Sequence, residues 1–191
     1  MSIYEAILKR RTVRKFKQVV VADSLLEKMV NAARVSPSAA NLQPLEYIVV
    51  RDKELKEDIF KNVKWAAYIA PQGTPKEGEK PMAYIAVVFN SKVGSAFVPY
   101  DLGAAVMAML LTAWEEGLGC CWIKACDKIA LKKLLKIPAT HEIDSVIALG
   151  CRAETPEMEE SDTNIKYYLN PEGVLRVPKK RAQTLTHWEQ F

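Results

Sequence analysis

Four of the six residues from Arg10 to Lys15 are basic. Arg10, Arg11 and Arg14 supply forked N–H donors and Thr12 adds a hydroxyl, a donor set that suits a phosphate. If Thr12-Val13-Arg14 runs extended, Thr12 and Arg14 project to one face. A basic run at the end of a helix also complements its negative pole and is often only solvated, so the rest of the chain decides between the two. A second basic cluster, Lys179-Lys180-Arg181, can reach the same anion from the far end. Between them lies Pro37-Ser38-Ala39-Ala40-Asn41-Leu42-Gln43-Pro44. Its small side chains allow close approach, and its two amides donate and accept together, which suits a flat polar ring.

Other chemistries lack their residues. No G-x-x-x-x-G-K-[ST] run occurs, and Gly117-Leu118-Gly119 lacks the third glycine and follows a helix pattern where a dinucleotide loop follows a strand. There is no G-x-S-x-G elbow. The only histidines, His141 and His187, lie far from any nucleophile or carboxylate cluster, which argues against acid–base or metal catalysis. Cys120, Cys121, Cys126 and Cys151 form no C-x-x-C pair. They read as buried small hydrophobes in a reducing compartment, with no metal site and no disulfide. An enzyme built this way leaves the chemistry to a cofactor.

The bulk properties agree. A chain of 191 residues with 49% hydrophobic and 26% charged residues fits one globular domain. The net charge of +4 suits a small anionic ligand better than nucleic acid, which needs a concentrated basic stripe. The N-terminus shows no signal-peptide pattern. The longest uncharged run, Leu102 to Trp114, is shorter than the ~18 residues that span a bilayer. A cytoplasmic protein without membrane or nucleic-acid partners is expected.

The positioning elements follow from periodicity and caps. Ser2-Ile3-Tyr4-Glu5 is a capping box opening a helix over about 2–10, and Ser24-Leu25-Leu26-Glu27 a second, opening one over 24–34. Lys15 to Val21 is expected to be extended. Strands are expected at 47–50, 84–89, 119–123 and 143–149, with helices at 53–62 and 128–136 capped by Asp52 and Asp127. Pro71 to Pro81 reads as a mobile surface loop. Leu102 to Trp114 is apolar around its whole circumference, so its helix must be buried on all sides, most simply at a homodimer interface. After Gly150 the pattern weakens. Leu185 to Trp188 reads as a terminal strand, and the last ~40 residues as a segment wrapping a partner surface.

Four segments together resemble the FMN-dependent nitroreductase family. They are Lys9 to Phe16, Pro37 to Pro44, Gly117 to Ile123 and Ile147 to Gly150, joined by the helix start Asp101-Leu102-Gly103-Ala104-Ala105. The resemblance implies an α+β fold with a mostly antiparallel central sheet packed among helices. It implies one FMN-binding domain over 1–191, in which 151–191 embraces the other subunit of a homodimer. Such enzymes pass two electrons from NADH or NADPH to nitroaromatics, quinones or flavins by a ping-pong cycle. The same superfamily includes reductive dehalogenases and flavin-fragmenting synthases, and a flavin-binding module without useful turnover is a further alternative.

Carried over by position, Arg10 contacts the FMN phosphate, with Arg11 and Thr12 beside it and Lys179 and Arg181 as a second clamp. Arg14 lies near flavin N1 and O2, where charge builds up on reduction. Pro37, Ser38, Ala39 and Asn41 approach the ring from the other subunit, with Gln43 as neighbour. Trp122, Ile123 and Lys124 lie against the ring, and the Lys124 backbone N–H bonds flavin N5. Three positions depart from the pattern: Leu45 stands where Trp is frequent, Lys124 where glycine or glutamate is usual, and Thr12 replaces serine but keeps the hydroxyl.

Overall fold

The structure is a computed structural model that describes residues 2–94 and 96–191. Ser2 caps α1 (Ile3–Lys9) as a complete capping box with Glu5. The expected second box does not form. α2 (Asp23–Arg34) begins one residue early, on Ala22 without a side-chain cap, so Ser24 lies inside the helix. Asp52 and Asp127 accept from Leu55 N and Ala130 N, starting α3 (Lys53–Lys61) and α5 (Lys128–Leu134). Pro99, the second residue of α4 (Val98–Glu115), fits where its missing N–H leaves no orphan. Gly117 ends the helix at φ +79°, a left-handed turn favourable to glycine.

Four strands form the central sheet, β1 (Leu45–Val50), β2 (Ala83–Asn90), β3 (Leu118–Ile123) and β4 (His141–Cys151). They pair antiparallel in the order β1-β2-β4-β3. β2 and β4 are buried on both faces, and β2 reads as a continuous apolar run. Ala83, Ile85 and Val87 of β2 face α2 and α4, with Leu26, Met29, Val106 and Met109. Tyr84, Ala86 and Val88 face α3 and α5, with Ile59 and Leu131. The result is three layers, helices on either side of an antiparallel sheet, the α+β architecture expected.

Lys15 to Val21 forms no regular strand. The segment between α1 and α2 is irregular, with isolated bridges at Thr12–Cys120 and Phe16–Arg152. Val13 and Phe16 are fully buried with Ala6 and Trp114, each burial being worth roughly 1.5–3 kcal/mol. The loop from Pro71 to Pro81 is stitched to the body: Phe16 N donates to Glu79 O at 3.0 Å, and Lys80 pairs with Glu57 and Glu77 at 2.8 Å. α4 is not buried all round; Met107 is 43% exposed and Ala104, Ala108 and Leu111 are half-buried. The C-terminal region holds a small second sheet that the sequence pattern did not reveal. Its strands β5 (Glu157–Glu160), β6 (Tyr168–Leu169) and β7 (Leu175–Lys179) pair in the order β5-β7-β6. The strand expected at 185–188 is absent. A short α6 (Ala182–Leu185) occupies that region, and Trp188 is exposed with no strand to pair with. No helix among the described residues is long and apolar enough to cross a membrane.

The edge of β3 tests how the basic segment is held. A Cβ at Gly119 would sit 2.6 Å from Val13 Cβ and 2.8 Å from Arg152 Cγ. Gly119→Ala therefore forces Val13 off the sheet edge. Urea unfolding should show a loss of about 1–3 kcal/mol, and a variant of unchanged stability would contradict the packing described.

Candidate functional site

The basic segment leaves α1 at Arg10 and runs along the edge of β3. Val13 N donates to Cys120 O at 3.0 Å, and Val13 and Phe16 point inward. Arg10, Arg11, Thr12 and Arg14 then line one side of a cavity of about 190 Å³. Tyr167, Leu175, Val177 and Lys179 line the other. Residues separated by more than 160 positions thus meet, as the two basic clusters implied.

The cations differ in what they have left to offer. Arg11 turns back and donates to Arg10 O at 2.5 Å and Leu8 O at 2.6 Å, capping the last carbonyls of α1. Its role is closer to holding the turn than to gripping a ligand. The Arg10 guanidinium has no hydrogen bond or ion pair among the described residues, and burial holds it below its ordinary pKa. Burial and the Arg10 charge do the same to Arg11. Arg14 lies 5.2 Å over the Tyr167 ring, with a buried Nε that has no hydrogen-bond partner among the described residues. Glu154 approaches this region, yet its Oε1 accepts the backbone N–H groups of Arg14 (2.5 Å) and Lys15 (3.3 Å). Positive charge is concentrated and partly desolvated, a setting an oxyanion relieves. Arg181 is not part of the cavity lining. Its side chain and backbone N–H bind Asp162, which also accepts from Thr184 Oγ1 at 2.9 Å.

The Pro37 to Pro44 loop makes a separate cavity of about 420 Å³, lined by Pro37, Ser38 and Gln43 with Tyr47, Asp101 and Ala105. A 3₁₀ turn at Ala39–Asn41 carries two non-glycine residues at positive φ, Ala40 (49°) and Asn41 (55°), and Gln43 (49°) just beyond it is a third. Strain of this kind persists only where surroundings over-determine it. Here Ser38 Oγ accepts from Gln43 N (3.1 Å), and Asp101, only 5% exposed, accepts from Ala39 N at 2.9 Å. Ala39 and Asn41 are not among the lining residues; they hold the turn. Burial pushes the Tyr47 hydroxyl up to about 12, so it is a neutral donor.

At the end of β3, Trp122 and Lys124 lie outside both cavities. Trp122 Nε1 donates to Ser145 Oγ at 2.7 Å, and Lys124 Nζ pairs with Asp144 at 3.1 Å. The Ile123 side chain is in the α3/α5 core. Sequence reasoning missed Tyr167, Asp101, Asp144 and Ser145 as site residues. Asp144-Ser145 was visible as a polar break in an apolar strand, whereas Tyr167 carries no local signal.

The Nitroreductase family model matches residues 7–151. A protein of Methanothermobacter thermautotrophicus, provisionally named an NADH dehydrogenase/NAD(P)H nitroreductase, is 32% identical over 162 residues, covering 82% of this chain and 80% of the relative. An iodotyrosine deiodinase of Thermotoga neapolitana is 25% identical over 181 residues, covering 86% and 97%. The fold matches a crystal structure from Desulfovibrio desulfuricans, assigned as a nitroreductase in complex with FMN, at a TM-score of 0.74. That match covers 100% of this chain and 98% of the other at 21% identity. The chain belongs to the nitroreductase family, a family of oxidoreductases.

The guanidinium groups do not activate the neighbouring thiols. Burial pushes Cys120 up to about 12 and Cys121 up to about 11, outweighing the opposing pull of Arg10 and Arg14. A disulfide thiol reagent at pH 8 should therefore modify only the partly exposed Cys126 and Cys151 in native protein, and all four after unfolding. The unfolded chain releases its thiol protons first. Stability should fall as pH rises from about 8.5 towards 11, by up to about 1.4 kcal/mol per pH unit for each buried thiol. Urea midpoints across that range check the sign.

Proposed function

We propose that the protein is an FMN-dependent oxidoreductase that takes two electrons from NADH or NADPH and passes them to nitroaromatics, quinones or related acceptors in a ping-pong cycle. The observation that carries this reading is the pair of unneutralised guanidinium groups, Arg10 and Arg14, facing Lys179 across one cavity in a chain of this family. The donor set fits a phosphate monoester. Arg10 supplies the fork, Thr12 a hydroxyl and Lys179 a point charge, while Arg11 rigidifies the turn that carries them. Arg14, further along the β3 edge, would hold its charge near the end of a bound flavin that gains negative charge, where a fixed cation would stabilise the reduced state. FMN, when bound, supplies the two-electron carrier chemistry. The Lys124 backbone N–H is the proposed donor to N5.

The active unit in this reading is a cytoplasmic homodimer. In one chain the Pro37–Gln43 cavity shares no lining residue with the phosphate cavity, which suits a site shared between subunits. The partly exposed stripe of α4 and the exposed Ile3, Tyr4, Ile7 and Leu8 of α1 offer apolar surface for that contact. Residues 151–191 are assigned to the embrace of the partner subunit. The full-length likeness to a deiodinase supports a second reading, reductive dehalogenation at the same site.

Purified protein should be yellow or become so with FMN. Protein that stays colourless after incubation with FMN overturns the reading. Arg10→Ala should weaken FMN binding about 10- to 100-fold, the loss of one charged hydrogen-bonded contact, and shed flavin on dialysis. Arg14→Ala should retain flavin better but lower its reduction potential; an unchanged potential contradicts the assigned role. Product analysis with menadione, a nitrofuran and a halophenol under anaerobic conditions separates acceptor reduction from dehalogenation.

A further inference from the structure

Helix α3 turns a face of mixed chemistry towards the loop before β2. Lys53, Lys56, Glu57 and Phe60 recur at the three- and four-residue spacing of a single helical face. Opposite Lys80, Met82 and Tyr84 they line a cavity of about 220 Å³. It shares no lining residue with the phosphate cavity or the Pro37–Gln43 cavity. Tyr84 is the unusual member of the wall. It pairs with Val50 and Ala148 in the sheet and is 1% exposed, and its hydroxyl is buried without a hydrogen-bond partner among the described residues. Sheet pairing occupies the backbone, so the ring is what reaches the cavity. Burial, with the charge of Glu57 added, pushes the hydroxyl well above its ordinary range and keeps it a neutral O–H donor. A buried donor left unsatisfied is unfavourable, and each one in a native fold calls for a reason.

The lysines around it are not equally spent. Lys80 pairs with Glu57 and Glu77, both at 2.8 Å, and lies 5.1 Å over the Phe60 ring. Lys56 Nζ donates to the Met82 carbonyl at 3.2 Å and has no acidic partner among the described residues. An ammonium carries three donors, so two are left. Lys53, Lys56 and Lys80 set against Glu57 and Glu77 leave the cavity wall with one surplus positive charge.

We propose that this cavity is a binding site for a short-chain monocarboxylate. The Tyr84 O–H and the Lys56 ammonium donate to the carboxylate, and Phe60, Pro81 and Met82 receive the alkyl chain. One surplus charge matches a monoanion and disfavours a dianion such as phosphate, which also finds no guanidinium fork here. The cavity is smaller than the roughly 300 Å³ at which sites for drug-sized ligands begin, so its occupant is small. The site is independent of the flavin reading and uses none of its residues.

The test is calorimetric titration of the purified full-length protein with butyrate and its neutral isostere butyramide. Wild type should bind butyrate about three- to tenfold more tightly, the range of a partly exposed ion pair. Lys56→Gln should bring that ratio close to one. Tyr84→Phe keeps the ring and removes the hydroxyl. It should weaken butyrate binding about tenfold, while melting without ligand at or above the wild-type temperature, because the lost group had no partner. Arg10→Ala should leave the butyrate-to-butyramide ratio unchanged, which separates this site from the phosphate cavity. Three results overturn the site: equal affinity for the two compounds in wild type, a preference lost in Arg10→Ala yet kept in Lys56→Gln, or a destabilised Tyr84→Phe that binds butyrate as wild type does. Inorganic phosphate that binds more tightly than butyrate and is weakened by Lys56→Gln overturns the monocarboxylate assignment.

Discussion

Nearly everything of functional interest depends on how residues 12–13 seal the outer edge of β3. An open edge strand presents unpaired N–H and C=O groups that invite association. Here Thr12 bridges Cys120 and Val13 N donates to Cys120 O at 3.0 Å, closing that edge from within the chain. The approach requires a residue without a Cβ at Gly119, and Val13 occupies the space. Since Val13 and Phe16 face inward, the residues between and before them must face outward. The basic side chains are therefore placed by packing that is itself apolar.

That arrangement explains how several cations can lie together without an equal number of acids. Several lysines and arginines elsewhere have acidic partners, as in Lys80 with Glu57 and Glu77 or Arg181 with Asp162. Around the cavity the available acid, Glu154, is used on backbone N–H groups, and Arg11 spends its donors on helix carbonyls. What is left over is Arg10, the Arg14 Nε and Lys179, facing a space of about 190 Å³. Hydrophobic burial of Val13 and Phe16 offsets the repulsion that these cations would otherwise cost the fold. The same burial keeps Cys120 and Cys121 protonated beside them.

The helices and the central strands were legible because each carries its own period or cap. Ser2 formed its box as read, whereas the Ser24 motif failed because α2 starts a residue earlier, at Asp23. The meeting of Arg10 with Lys179 was legible as two clusters of like chemistry, though not the fate of each member. Nothing local distinguishes Arg10, whose guanidinium has no partner among the described residues, from Arg11, whose guanidinium turns back onto Leu8 and Arg10 carbonyls. The small C-terminal sheet was hidden because β6 has two residues and β5 reads Glu-Met-Glu-Glu. Runs so short and polar carry no usable alternation. Strain at Ala40, Asn41 and Gln43 was likewise invisible, since no glycine marks those left-handed positions.

The bulge at Asp144 shows why a polar residue can be required inside a strand. Val146 and Ala148 of β4 face α3 and α5, while Ile147 and Leu149 face α2 and α4. Strict alternation would send Ile143 to the same side as Ile147. Yet Ile143 packs with Val146 and Ala148. One extra residue inverts the alternation, and Asp144 is that residue. An apolar residue there would serve the parity as well but would leave Lys124 without its tether. A carboxylate at that step does both, which ties the strand that completes both cores to the turn that carries Trp122 and Lys124.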